Sequence, residues 1–436
     1  MDGSIGQLGL RSITANSCCA QLAKVLGSKV SFPGNSGYET TQASYFSLQE
    51  AALSPACIVI PSSSHDVAEA VTIISGIPSC HFAIKGQSHT PAAGAANINT
   101  GVTIDMTPLK TVSVNDDHTV ASVGGGASWL DVYTYLDTLG LSVAGGRNGQ
   151  IVLASGKLTN INETSSPDLF RSLKGGGNNF GVVTRFDFAA FPQGQILAGN
   201  IAQDISYREE VFKAFADIAD APNYDPYASL VMGATFNATS KVWGVATTAI
   251  YTKPVTNPPV YAELLSIPTT TSTLHLTNLR TYGVSAKLLD EMFDSLNETL
   301  YDFNIEGGIF WSIAFEPLPT AITKWGALKG GNSLGTSPKD GNAFVVLVAA
   351  LWSNATLNDL VEKKAAQVTD NLAAVARSMG LLHEFQYLNY ADPSQDPIRS
   401  YGPENVRELR KTSRKFDPRG VFQRQVPGGF KLGLQY

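Results

Sequence analysis

The chain has 436 residues, four cysteines and a formal net charge of −6. That length exceeds what one hydrophobic core normally supports and predicts two domains, and the acidic balance excludes a nucleic-acid partner, which needs a basic face. Hydrophobic residues make up 43% of the chain without a long uncharged apolar run, so no membrane helix is expected and a small molecule is the predicted ligand.

From the N-terminus, MDGSIGQLGLRS lacks the basic and apolar regions of a signal peptide. Cys18, Cys19, Cys57 and Cys80 follow, all in the first fifth of the chain. None forms a C-x-x-C pair or has a histidine at zinc-ligand spacing, so no metal site is expected. An even, clustered set suits two disulfides in an oxidising compartment, with Cys57 and Cys80 each bridged to one of Cys18 and Cys19. Four buried thiols in a cytoplasmic protein are the alternative. The sequons at Asn162, Asn237, Asn297 and Asn354 also suit the secretory pathway. We therefore expect a secreted protein whose true start lies further upstream.

CIVIP (57–61) reads as a buried strand. The stretch 62–76 opens with serines able to cap a helix and places Val67, Val71 and Ile74 on one face. HFAIKG and GVTIDM are two further short strands. HTVASVGGGASWLDVYTYLDTLGL predicts a strand, a glycine turn and a helix carrying Leu130, Tyr133 and Leu136. FGVVTRFDFAAFP alternates until Pro192 stops it. From about residue 195 to 380 the glycine turns thin out and helices alternate with strands (REEVFKAFADIAD, ASLVMGATF, KVWGVATTAIYT), which predicts a separate substrate domain. EFQYLNYADP, a helix through ENVRELRKTSRKF and the tail DPRGVFQRQVPGGFKL close the chain.

Glycine clusters at 124–126 and 175–181 do not fit a dinucleotide fingerprint, because Phe180 stands where the third glycine of the second cluster should be. No Walker lysine, G-x-S-x-G elbow or H-E-x-x-H motif is present. His89 has a more informative setting. In FAIKGQSHTPAAGAANI a basic strand end runs into Gly86-Gln87-Ser88-His89-Thr90-Pro91, a turn offering consecutive backbone donors, two hydroxyls and an imidazole.

HTPAAGAANI followed by GVTIDM resembles the flavin-attachment segment of fungal berberine-bridge-like oxidases, in the vanillyl-alcohol-oxidase superfamily. There a glycine–histidine turn covers the FAD pyrophosphate and the histidine bonds to the 8α-methyl of the isoalloxazine. The likeness continues through PACIVIPSSSHDVAEAV, SSPDLFRSLKGGGNNFGVVTRFDFAAFPQG and the segment from YLNYADP to GGFKL. Carried over by position, it implies that His89 bonds the flavin covalently and that Gly86, Gln87, Ser88 and Thr90 contact the pyrophosphate. Asn179, Gly181 and Val183 would line the adenine and ribose, and Asn389 and Tyr390 would approach the isoalloxazine. Tyr387 resembles the general base of sugar-oxidising relatives, a role that requires a neighbouring cation to lower its pKa from near 10. Glu316 and Asp392 are further acid–base candidates. The family's second, cysteinyl flavin bond has no counterpart, since no cysteine lies beyond Cys80.

Two departures from the pattern stand out. Lys85, Gln87 and Ser88 replace an arginine and two glycines. Between Gly146 and Ile151 a long glycine-rich stretch of the flavin cradle is missing, which predicts weakened FAD binding. The resemblance implies an α+β protein: a PCMH-type FAD-binding domain (1–193), an antiparallel-sheet substrate domain (194–384) and a C-terminal berberine-like segment (385–436) that returns to the FAD domain. It implies an oxidase that removes hydride from a small organic substrate, a secondary metabolite or sugar, with O2 as acceptor. A non-redox cyclase and a degenerate binding protein on the same scaffold are the alternatives.

Overall fold

The computed structural model describes residues 17–222, 224–270, 279–328 and 330–434, and only the backbone at 145–148, 270 and 279–282. The segment MDGSIGQLGLRS lies outside the described residues. The chain divides into two compact units: residues 1–193, 329–334 and 402–436 form the first, and 194–328 with 335–401 the second. The C-terminal stretch 385–436 thus splits at Gly402, its first part clustering with the second unit.

The first unit holds two sheets. One combines β1 (Val30–Ser31), β2 (Cys57–Val59), β3 (Phe82–Lys85) and β4 (Val102–Asp105) in the order β1-β2-β4-β3, with β2, β4 and β3 parallel. The parallel strands are almost wholly buried, as the unbroken apolar runs require. Between β2 and β3 runs the Ser64–Ser75 helix, started by a Ser63–Asp66 capping box, with Val67, Ala70, Val71 and Ile74 inward as their spacing predicts. Both disulfides form, Cys18–Cys80 and Cys19–Cys57, and seal this core from one side.

The other sheet is antiparallel: β5 (Val112–Val114), β6 (Val120–Gly124), β7 (Leu141–Val152), β8 (Leu158–Ile161) and β9 (Val182–Pro192), ordered β5-β6-β9-β7-β8. The Trp129–Asp137 helix packs on it through Val132 and Leu136. This corrects the expected face: Leu130 is 78% and Tyr133 45% exposed. The i, i+4 pair Val132/Leu136 meets Ala121 and Val143, and no helix can bury that stripe and Leu130 together against one sheet.

The second unit is built on seven strands: β10 (Leu197–Gln203), β11 (Ala228–Asn237), β12 (Val242–Tyr251), β13 (Thr269–Thr270), β14 (Leu279–Gly283), β15 (Phe310–Leu318) and β16 (Ala343–Leu351). Their order is β13-β10-β12-β11-β15-β16-β14 and every pairing is antiparallel. Helices Arg208–Ala219, Ala286–Leu300 and Asn358–Ser378 cover one face around Phe212, Phe215, Phe236, Trp311 and Phe315. Asn297, one of the sequon asparagines, accepts a hydrogen bond from the Trp243 indole at 2.9 Å. No helix among the described residues is long and apolar enough to cross a membrane.

Candidate functional site

In the first unit the glycine–histidine turn leaves the end of β3. Lys85 closes that strand fully buried, with its ammonium 3.5 Å from the equally buried Asp105. The positive strand end is therefore matched by a carboxylate, as burial of a lysine demands. Asp105 also accepts from the Thr41 and Thr107 hydroxyls, each at 2.7 Å.

Ser88 follows in the left-handed region at φ 56°, a conformation costing about 1–2 kcal/mol in a residue with a Cβ. Its Oγ is buried and has no hydrogen-bond partner among the described residues. Such a group calls for an acceptor the protein does not itself supply. His89 is exposed and makes no hydrogen bond among the described residues; its ring stacks on Phe46 with centroids 4.7 Å apart and planes at 12°. The Thr90 hydroxyl accepts weakly from Ala92 N at 3.4 Å.

The turn is joined to the first glycine cluster. Gln87 Nε2 donates to the Gly126 carbonyl at 2.5 Å, and the Cα face of Gly86 looks toward Gly125 O. A Cβ on Gly124, Gly125 or Gly126 would lie 2.0, 2.4 or 1.8 Å from a backbone carbonyl of Leu109, Val183 or Met106. Only glycines permit this approach, and the three amides are themselves committed, Gly124 N to Thr111 O, Gly125 N to Thr184 O and Gly126 N to Leu109 O at 2.9, 2.9 and 3.0 Å. Val183, opposite Ile151 on β7, belongs to the same neighbourhood through its carbonyl. Gly181 packs on Ile151 and Val152.

Asn179 is placed differently. It is fully buried, donates to Gly176 O and Phe430 O at 2.8 Å each, and accepts from Gln423 Nε2 at 2.8 Å. Its amide thus ties the second glycine cluster to the C-terminal tail. Beside it Lys431 donates to Asn178 Oδ1 and Phe422 O, and burial without a counter-charge pulls its pKa down to about 7. Between Gly146 and Ile151 β7 runs on as strand, paired with β9 through register shifts.

In the second unit, Ala314, Glu316 and Leu318 of β15 share a face with Val345 and Leu347 of β16, opposite the helix-covered core. Tyr387 and Tyr390 pack on this patch with rings 5.2 Å apart and perpendicular. Asn389 Nδ2 donates to Tyr387 Oη at 2.8 Å. Burial raises the pKa of Glu316. Burial, then the Glu316 charge, raises Tyr387 above the usual phenol value and pushes Tyr390 up to about 12. The cation expected beside Tyr387 does not act on it; its charged neighbour is a carboxylate. Asp392 is used locally, accepting from Ser394 N and Oγ.

The close packing of Gly124–Gly126 and the stack of Phe46 on His89 are contacts that sequence reading did not assign. The first had a signal in its three consecutive glycines. Phe46 had none, since one aromatic in TQASYFSLQE looks like any other.

Residues 55–163 match the FAD binding domain family. The FAD-dependent monooxygenase sdcF of Emericella nidulans is 33% identical over 470 aligned residues, covering 95% of this chain and 98% of the relative. That alignment is longer than the 436-residue chain, so the relative carries segments absent here. The FAD-dependent monooxygenase drtC of Aspergillus calidoustus is 32% identical, covering 98% of this chain and 92% of its own. Among solved structures, the glucooligosaccharide oxidase of Acremonium strictum, described with a 6-S-cysteinyl, 8α-N1-histidyl FAD, superposes with a TM-score of 0.70 at 18% identity, covering 97% of this chain and 100% of its own.

Proposed function

Since the chain belongs to the berberine-bridge-like FAD-dependent oxidoreductases, we propose that it is an oxidase acting on a small organic substrate, a secondary metabolite or sugar, with O2 as electron acceptor. The observation that carries this reading is the His89 turn: an exposed imidazole stacked on Phe46, beside a buried Ser88 hydroxyl with no hydrogen-bond partner among the described residues. Gly86, Gln87, Ser88 and Thr90 would hold the pyrophosphate, and His89 would anchor the isoalloxazine. Gly181 and Val183 would flank the adenosine, with Asn179 fixing the loop that carries them. Asn389 and Tyr390 would meet the flavin ring. The assignment of residues 1–193 and the tail to cofactor, and of 194–384 to substrate, is part of the same proposal.

When bound, FAD supplies a two-electron acceptor that O2 can reoxidise to give H2O2. The protein must move a proton. A phenol held above its ordinary pKa is a weak base on its own, so Tyr387 acts as a relay. It would accept the substrate O–H or N–H proton as its own moves toward the Glu316 carboxylate on the same sheet face, to which it makes no hydrogen bond among the described residues. Asn389 fixes the direction of its hydroxyl.

Acid precipitation of the purified protein tests the anchor. The yellow colour should stay with the pellet, a peptide containing His89 should carry the FAD mass, and His89→Ala should make the flavin extractable. Oxidase turnover should release one H2O2 per product with no label from 18O2 in the product. Label incorporation would establish the mono-oxygenation for which the two fungal relatives are named, and colour lost wholly to the supernatant of the unmodified protein would remove the covalent link.

A further inference from the structure

We infer that Phe46 is a positioning residue that sets the plane of the His89 imidazole for covalent flavin attachment, held in place by a clamp that residues 45–50 close over residues 89–97. This rests on the reading of His89 as the anchor. The clamp is unusually complete for so short a segment. Ser47 Oγ donates to Pro91 O at 3.1 Å, and Tyr45 Oη to Ala96 O at 3.1 Å. The fully buried Glu50 carboxylate accepts from Gly94 N at 3.1 Å and Ala96 N at 2.7 Å, and Asn97 Nδ2 donates back to Glu50 O at 2.9 Å. Five hydrogen bonds thus fix the backbone on both sides of Phe46 and just beyond His89.

Against that fixed frame the imidazole itself has no hydrogen bond among the described residues, so the Phe46 stack is what restrains its rotation. A face-on stack covers the π surface and leaves both ring nitrogens, whose lone pair and N–H lie in the ring plane, open at the edge. A large phenyl left 45% exposed for this contact is otherwise unexplained by the core. Forming the bond joins an imidazole nitrogen to the 8α carbon and breaks one methyl C–H and one imidazole N–H. The two hydrogens and their electrons pass to the flavin ring, and O2 removes them as H2O2. The step needs the nitrogen lone pair aimed along one line, and orientation of this kind governs rate more than binding.

The test samples Phe46→Leu, Phe46→Tyr and His89→Ala at fixed times after induction, measuring acid-resistant and acid-released FAD per protein. Phe46→Leu should slow the acquisition of acid-resistant FAD about two- to tenfold, the rate equivalent of one aromatic pair, at unchanged total FAD. Phe46→Tyr should recover the unmodified rate. A packing role alone would be satisfied by leucine, so Phe46→Leu matching the unmodified rate, or Phe46→Tyr being as slow as Phe46→Leu, overturns the inference. An unmodified protein without acid-resistant FAD overturns it by a different route, through the anchor itself.

Discussion

Ser88 concentrates the conflict between backbone and side chain at the site. It occupies a left-handed conformation that favours glycine, and its hydroxyl is buried without a partner among the described residues. Both penalties vanish in Ser88→Gly, offset in part by the greater freedom glycine adds to the unfolded chain. On a His89→Ala background from which the flavin has been extracted, Ser88→Gly should stabilise by about 1 kcal/mol, read from denaturant midpoints. A lower midpoint would mean that Ser88 has a protein partner in solution. Glu316 offers a second test at this scale. Because burial raises its pKa, the carboxylate needed as final proton acceptor forms only above the ordinary glutamate range. Turnover should therefore rise with pH through that raised value, and Glu316→Gln should abolish the inflection while lowering kcat. Ionising a group whose folded pKa is raised opposes folding as pH climbs through it, so Glu316→Gln should melt no lower than the unmodified protein above that window. A profile unchanged in Glu316→Gln would exclude it from the relay.

At the level of elements, the decisive feature is β7. Relatives carry segments absent here, and the resemblance places a glycine-rich wall between Gly146 and Ile151, where this chain has uninterrupted strand. A strand whose amides are committed to β9 cannot turn them toward a dianionic pyrophosphate, whose burial requires several donors. The amides of Gly124, Gly125 and Gly126 are committed in the same way, to Thr111 O, Thr184 O and Leu109 O, so the Gly86–Thr90 turn then carries that task alone. FAD occupancy of the chain as it stands should be well below one per protein. Inserting a relative's glycine-rich segment between Arg147 and Gln150 should raise it and raise the unfolding temperature, because a ligand bound only by the native state stabilises that state. Stoichiometric FAD without the insertion would show that this turn suffices.

Across the whole molecule, the two units use different means to stay folded. The second has a large aromatic core between seven strands and three long helices. The first divides its apolar residues between two smaller sheets and adds two disulfides and a returning tail. Gln425 marks that return: its side-chain amide reaches the carbonyls of Ile74, Ile77 and Cys80, and its own carbonyl accepts from Phe82 N. A unit assembled from the two ends of the chain gains its last contacts only after the intervening unit has been made.

Local pattern was enough for much of this. Val67, Val71 and Ile74 recur at helical spacing and Ser63 precedes them as a cap, because period and capping are properties of a few consecutive residues. β9 does end at Pro192, but its alternation stops at Arg185, where Asp187 and Phe188 are both buried. The cysteine cluster was likewise legible as two bridges, though the pairing of Cys18 with Cys80 required the approach of the N-terminal helix to the loop before β3. The family could be read from long ordered matches around His89. Tertiary packing alone decided the rest. It chose Val132 and Leu136 over Leu130 and Tyr133, since only the sheet defines which side of a helix is inside. It set a carboxylate rather than a cation beside Tyr387, joining residues about seventy positions apart in sequence. It also brought Phe46 onto His89 and Gly126 onto Gln87, contacts between segments whose separation along the chain leaves no periodic trace.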